Sequence, residues 1–278
     1  MNTVMNAIIH EEWIFRLVPI DKDQAQGTAG SIITSIFGIE GKLYRVKAED
    51  ITITKNKLHY EPFWHVSCHV RYEYDRICSH DITTIAPEVH RLTINEHEYT
   101  VVESNPRKFT ISGIEHCITL GGKEVYVDAE REQEQDWKKY LGYQKEKVND
   151  DSMFLNEDSI FLPPKLSSNA LVHKVLLSLP RPIKANKVYE ETVNINILDL
   201  YFRPIYTFEY EWKKRDKTIV AAFDGLTRKE IAKGVTFHEK VTKIITSDLL
   251  FDVSAEAANL IIPGSSIAFK FIKAFNSE

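Results

Sequence analysis

What this sequence lacks excludes several classes of protein. It has three cysteines, an odd and small number that does not form the paired framework of a small secreted domain. Its 11 glycines and 10 prolines are too few for a collagen-like or low-complexity chain. No stretch approaches the roughly 20 uninterrupted apolar residues of a membrane-spanning helix. With no secretory signal at its start, the sequence predicts a globular protein of the cytoplasm.

An excess of positive charge is also missing. The chain has 35 Lys and Arg against 40 Asp and Glu, which gives a formal net charge of −5. A nucleic-acid backbone attracts clustered positive charge, so we do not expect nucleic acid as the partner. The motifs GxSxG, HExxH and GxGxxG are absent as well. Because many active sites carry no local motif, this absence disfavours an enzyme without excluding one.

The strongest pattern that is present is an internal repeat. Residues 46–64 and 188–206 align without a gap at an offset of 142 residues. Apolar and polar residues alternate in both copies, which is typical of a half-buried strand. Pro62 matches Pro204, and each is expected at the head of a second strand because proline cannot donate to a ladder. The other matches include Val46 with Val188, Ile53 with Ile195, Leu58 with Leu200 and Trp64 with Tyr206.

The repeat predicts an α+β fold with two related helix-plus-antiparallel-sheet modules. Apolar residues at matched positions before each copy, around 32–36 and 175–179, predict a short helix in front of the strands. The strongly charged run 129–148 has few β-branched residues and predicts a connecting helix. The expected boundaries are a first module with extra strands at 1–128, a linking helix and linker at 129–165, a second module at 166–240 and an amphipathic helical tail at 241–278.

The order of helix, antiparallel strands and an Asp-Gly turn resembles the PepSY-type modules of bacterial proteins. The motif that carries the resemblance is Phe223-Asp224-Gly225-Leu226-Thr227, and the similarity extends over about residues 169–231. In uncharacterised bacterial proteins such modules stand in tandem. The resemblance implies binding of peptides or inhibition of peptidases, although a fold does not by itself transfer a function.

The function that these features favour is a non-catalytic binding or scaffold protein. We expect it to recognise a peptide or protein partner by strand addition at a sheet edge, with an aromatic groove beside it. The candidate binding residues lie near the two prolines and are Tyr60, Phe63, Trp64, Phe202 and Tyr206. Aromatic residues at matched positions of a repeat also commonly pack in the core, and that alternative stays open.

A cluster of cysteine and histidine residues supports a second hypothesis. All three cysteines and seven of the ten histidines lie between His59 and Cys117. If the strand turned near residues 74–75, Cys68 would lie opposite His80 and diagonal to Cys78. Cys117 on a neighbouring strand would complete a site for structural zinc, in a zinc-containing module or a metal-dependent enzyme. The alternative is that the cysteines are small core residues.

The apolar segment 247–275 predicts two helices separated by Pro263-Gly264. In the second helix, apolar residues from Ile267 to Phe275 fall on one face and two lysines flank it. This amphipathic helix could attach to a membrane surface, which would make the chain a membrane-peripheral protein, or associate with a partner or a second copy of the chain. It could also cover a sheet of its own chain.

Overall fold

The computed structural model describes residues 3–10, 12–83, 86–148, 159–180, 184–233, 259–261 and 267–273. Three helices occur in these ranges: α1 Lys22–Ser31, α2 Gly38–Leu43 and α3 Ser168–Ser178. The strands of the same ranges are β1 Thr3–Ile9, β2 Ile14–Leu17, β3 Ile51–Thr83, β4 Arg91–Ile94, β5 His97–Thr100, β6 Lys108–Asp128, β7 Gln133–Glu134, β8 Lys145–Lys147, β9 Ser159–Phe161, β10 Lys187–Trp212, β11 Lys217–Asp224, β12 Glu230–Lys233, β13 Asn259–Ile261 and β14 Ile267–Lys273.

The predicted α+β arrangement of two helix-plus-sheet modules is wrong, because the chain is mostly β-sheet. Twelve of the strands form one sheet, whose main path runs β13-β14-β1-β10-β3-β6-β7. Strand β11 pairs with β10 and with β12, and strand β2 pairs with β10 and with β8. Strand β9 pairs with β3. Strands β4 and β5 form a separate hairpin. Long continuous strands, and not helix-capped modules, are therefore the main elements of the fold.

The two longest strands, β3 and β10, each change their neighbour at a proline. Strand β3 pairs in parallel with β9 as far as Tyr60, and beyond it the carbonyl oxygen of Pro62 accepts from the residue that follows β6. Strand β10 pairs in parallel with β2 as far as Phe202, and with β11 from Ile205 onwards. Pro62 and Pro204 thus stand where one neighbour ends and the next begins. Both strands continue through the proline, because the missing N–H interrupts no ladder at that point.

The two copies of the repeat are interlocked. Strand β2 precedes α1 and β3 in the chain but pairs with β10, while β9 precedes α3 and β10 but pairs with β3. The register agrees with the repeat, because Leu58 pairs with Ser159 and its match Leu200 pairs with Ile14. Each copy therefore supplies a short strand to the long strand of the other copy, so the copies do not form sequential modules.

Equivalent turns close the two copies. The buried carboxylates of Asp128 and Asp224 each accept hydrogen bonds from two backbone amides that follow them, at 2.8–2.9 Å. The next residue donates its amide to the proline carbonyl, from Ala129 to Pro62 at 3.1 Å and from Gly225 to Pro204 at 2.8 Å. An Asp side chain that bonds its own turn favours this conformation locally. The Asp-Gly motif of the second copy is thus a buried turn against a proline.

The chain divides into two compact units. The first comprises Met1–Cys68, Lys123–Leu177 and Asn194–Glu278, and the second comprises His69–Gly122 and Ser178–Val193. In the first unit, α1 begins with the side chain of Asp21 accepting from the amide of Asp23. Ala25 and Ala29, one turn apart on α1, pack against the aromatic residues of β10 and β11. The helix thereby covers one face of the sheet in this unit.

The second unit consists of the ends of β3 and β10, most of β6 and the β4–β5 hairpin. Strand β6 runs through Gly121 and Gly122 without turning. A Cβ atom at Gly121 would lie 2.4 Å from Cγ of Pro180 and 3.3 Å from Val70. Glycine at position 121 therefore lets Pro180 pack closely against the strand, and it does not mark a hairpin turn.

The predicted connecting helix and C-terminal helix are also wrong. Residues 129–148 form turns, a short 3₁₀ segment Lys138–Gly142 and the strands β7 and β8. Packing of Trp137 and Tyr140 in the core outweighs the helix propensity of their charged neighbours. In the tail, β14 pairs in parallel with β1, and β13 pairs with β14. Ile267, Phe269 and Phe271 alternate with Ala268 and Lys270 in β14, a pattern that is typical of a strand.

The rest of the predicted tail, including residues 241–258, lies outside the described residues. Without a helix, residues 267–273 do not form the helical apolar face on which the predicted membrane attachment depended. Among the described residues, none of the helices has the length and the apolar character needed to cross a bilayer.

The turn at Gly225 generates a stability prediction. A Cβ atom there would lie 2.9 Å from the carbonyl oxygen of Pro204, so we expect Gly225→Ala to lower the free energy of unfolding by about 1–3 kcal/mol. Gly27→Ala in α1 is the matched control, since no atom lies within 4 Å of its Cβ position. Urea denaturation of both variants measures the difference. Equal midpoints for Gly225→Ala and the unchanged protein would contradict the packing described here.

Candidate functional site

The five predicted binding aromatics all lie in the core of the first unit. Their exposed fractions are between 0 and 5%. Tyr60 stacks on Phe161 at 4.4 Å between ring centres, and Trp64 donates its indole N–H to the carbonyl of Leu166 at 2.9 Å. Tyr206 donates its hydroxyl to another backbone carbonyl. These rings therefore contact their own chain and offer no exposed groove; the five residues are Tyr60, Phe63, Trp64, Phe202 and Tyr206.

The four predicted metal ligands do not come together as one set. Strand β3 does not turn at residues 74–75, so the hairpin that would place Cys68 opposite His80 does not form. Cys68 is buried in the first unit, where its thiol contacts the carbonyl of Lys123 and burial raises its pKa. Cys78, His80 and Cys117 belong to the second unit. All three cysteines are free thiols.

Two of these predicted ligands meet a third residue that the sequence did not single out. The ligand atoms of Cys78, His80 and Glu115 all lie within 4.8 Å of one another. His80 Nε2 is 3.0 Å from Glu115 Oε1, while Arg76 bonds Glu115 Oε2. Hydrogen bonding to Arg76, which outweighs the effect of burial, lowers the pKa of Glu115 and keeps it ionised. Cys117 lies two residues further along β6 and contacts the backbone of Glu115.

A second polar cluster in this unit centres on Asp75. Its carboxylate accepts from the hydroxyl of Tyr189 at 2.6 Å and lies 2.7 Å from Nδ1 of His116. The bond from Tyr189 is the main reason why the pKa of Asp75 is lowered, with His116 adding to it. Together with Glu73 and Ile118, these side chains line a cavity of about 320 Å³. The cavity combines an apolar wall with a fixed carboxylate and an exposed imidazole.

Over most of the second unit, the outer edge of β6 has no partner strand among the described residues. Side-chain contacts of Asp75 with His116 and of Asp81 with Thr110 show that β3 and β6 are antiparallel. On its other side, β6 pairs with β7 at residues 127–128 and forms one bridge at Lys108. Within the described ranges, no strand pairs with the outer edge of residues 110–122. Within that part of the chain, the edge presents a row of backbone donors and acceptors that another strand could pair with.

Large apolar side chains are exposed along this edge. Ile114, Ile118 and Leu120 of β6 are 61%, 58% and 68% exposed, and Ile77 of β3 is 65% exposed. The register of the pair places Ile77 opposite Ile114 on the same face as the other two. Between Phe109 and Gly122 the strand has no lysine, arginine or proline, the residues that natural edges use to prevent pairing.

The first unit holds a buried network of charged groups beside the prolines. Arg203 donates to Glu61 at 2.6 Å and to the hydroxyl of Tyr140 at 3.3 Å. Tyr140 in turn donates to Asp224, and burial together with this bond raises the pKa of Tyr140 to about 12. Burial alone would raise the pKa of Glu61, but His59 and Arg203 outweigh it and lower the pKa to about 2. The carboxylates of Glu61 and Asp224 each accept from a donor in this network, so the network is suited to holding the strands.

Comparisons of the chain with protein-family models, with curated proteins and with solved structures found no match. The resemblance to PepSY-type modules therefore stays a prediction, and the function must be argued from the molecule itself.

Sequence reasoning missed Glu115, Asp75 and the edge of β6. The alternation of Ile114, His116, Ile118 and Leu120 is the signal that could have located the exposed face of a strand. The pairing of Glu115 with residues of β3 has no such signal, because it depends on the register of two strands that are distant in the sequence.

The buried network generates a prediction about pH. Because the pKa of Glu61 falls from 4.5 to about 2 on folding, its contribution to stability is complete above pH 4.5 and is lost as the pH falls to about 2. We expect the Glu61→Gln variant not to show this part of the acid-induced loss of stability. Urea denaturation from pH 5 to 2 measures the free energy of unfolding of both proteins.

The partner residue gives the matching test. We expect Arg203→Met to lower the free energy of unfolding by about 3–5 kcal/mol, because it leaves the largely buried carboxylate of Glu61 without its counter-ion. Arg91, which pairs with Glu98 on the surface, is the control, and Arg91→Met should leave the urea midpoint unchanged. Equal midpoints for the two variants would show that Arg203 does not stabilise the buried network.

Proposed function

We propose that this chain is a cytoplasmic binding protein that captures an extended segment of a peptide or protein partner on the outer edge of β6. The observation that carries the proposal is the unpaired edge of residues 110–122. An extended chain that pairs with such an edge gains a ladder of backbone hydrogen bonds, whatever its sequence. The proposal keeps strand addition as the mode of recognition and moves it from the buried aromatics to an exposed strand.

The side chains beside this edge support a preference for apolar partners. In strand addition, backbone hydrogen bonds supply affinity, and the surfaces that receive alternate side chains supply specificity. Ile114, Ile118 and Leu120 would lie next to every second side chain of the added strand. Burial of apolar area there favours the complex, after the cost of ordering the bound chain. The favoured ligand is therefore an extended segment in which apolar residues alternate.

Placement in the cytoplasm is supported by the cysteines. All three are free, and Cys78 and Cys117 are partly accessible. Free accessible thiols are typical of a reducing compartment.

A random linear peptide library displayed on phage tests this proposal. We expect it to select peptides with alternating apolar residues, which on binding slow hydrogen exchange at the amides of residues 110–122. Ile118→Lys should weaken these peptides at least about tenfold, or 1.4 kcal/mol, because it introduces a charge next to the added strand.

Ile39→Lys is the matched control for this experiment. Ile39 lies in α2 of the first unit and is 87% exposed, so the same substitution changes an apolar surface residue away from the edge. We expect the control to bind the selected peptides as the unchanged protein does. Selected peptides that lose affinity equally in both variants, or that leave β6 exchange unchanged, would count against the proposal.

A further inference from the structure

The group formed by Cys78, His80 and Glu115 contains none of the apolar side chains on which the proposed peptide binding depends. It lies on the opposite face of the β3–β6 pair from Ile77 and Ile114, because side chains alternate along each strand. Cys78 and Glu115 are partly buried, and His80 is about half exposed. The three residues therefore form a shallow site that solvent can enter.

The distances suit a small divalent ion. With metal–ligand bonds of 2.0–2.3 Å, the ligand atoms of a tetrahedral site lie about 3.3–3.8 Å apart. His80 Nε2 and Glu115 Oε1 are 3.0 Å apart, and all three ligand atoms fall within 4.8 Å. Side-chain rotations that move the ligand atoms by about 1 Å would therefore bring a sulfur, a nitrogen and an oxygen onto one ion. This donor set is typical of zinc.

Arg76 holds the carboxylate of Glu115 in position in this arrangement. It bonds Glu115 Oε2, at 2.6 Å from Nε and 2.5 Å from its terminal nitrogen, and leaves Oε1 directed at His80. Carboxylates that bind metals are commonly oriented by a second hydrogen bond of this kind. The same ion pair also explains why Glu115 and His80 lie together without a metal. The thiol of Cys78 donates a hydrogen bond to the same carboxylate, so all three candidate ligands meet at Glu115.

We propose that Cys78, His80 and Glu115 bind a zinc-class divalent ion, with a water molecule in the fourth position. Binding replaces the thiol proton of Cys78, which leaves to solvent, so that the thiolate sulfur bonds the ion. His80 binds through Nε2 in its neutral form, and Glu115 binds through Oε1. Of the four ligands predicted from the sequence, this site retains Cys78 and His80, and it includes neither Cys68 nor Cys117.

Cobalt(II) provides the test, because its bond to a thiolate gives a charge-transfer absorption band that zinc lacks. We expect the full chain, prepared without a polyhistidine tag, to show this band with one equivalent of Co²⁺ and to lose it when Zn²⁺ is added. Cys78→Ser should abolish the band. His80→Asn should weaken Co²⁺ binding at least about tenfold, and because the side chain of His80 is half exposed, the substitution removes no core packing.

Cys117→Ser is the matched control, since Cys117 is a partly buried thiol on the same pair of strands. We expect it to keep the band and the affinity of the unchanged chain. The proposal is overturned if the unchanged protein shows no thiolate band, if the band survives in Cys78→Ser, or if His80→Asn binds Co²⁺ as tightly as the unchanged protein. Each of these results is independent of whether β6 binds peptides.

Discussion

The structure depends on the buried ion pair between Glu61 and Arg203. These residues occupy matched positions of the two repeats and meet across the antiparallel strands β3 and β10. Removing two charges from water costs several kcal/mol for each ion, and the pair is tolerated because further donors and acceptors surround it. His59 and Tyr140 supply two of these contacts. A shift of one residue between the strands would turn both charges to opposite faces, so the pair also fixes the register.

Sequence patterns predicted the repeat and its strand-forming segments but not the arrangement of the strands. Alternation around Ile53 and Ile195 correctly indicates strand at both copies. From the sequence, the two prolines predict strand starts, since a lone sequence does not show that the neighbouring strand changes there. The charged run 129–148 has the composition of a helix, yet packing of Trp137 decides its conformation. Local propensity therefore predicted the elements best where tertiary contacts agree with it.

The candidate sites were predicted less well than the strands, for a related reason. A large aromatic residue such as Trp64 suits a binding groove and a core equally, and composition does not distinguish the two. Cys78 and His80 were identified because both are metal-ligand types close together in the sequence. Their third neighbour, Glu115, is brought to them by the pairing of β3 with β6. Cross-strand neighbours follow from register, which residue types alone leave undetermined when the connection is long.

Strand β6 has candidate ligand residues on one face, exposed apolar residues on the other face, and an outer edge that could pair with another chain. Glu115 and Cys117 lie on one face, while Ile114, Ile118 and Leu120 lie on the other and flank the unpaired edge. An ion held between β3 and β6 would fix their register and keep the edge straight, because its ligands come from both strands. A straight, ordered edge loses less conformational entropy when another chain pairs with it. The proposed ion and the proposed peptide would therefore favour each other's binding, although the ion lies on one face of the strand pair and the peptide pairs with its edge.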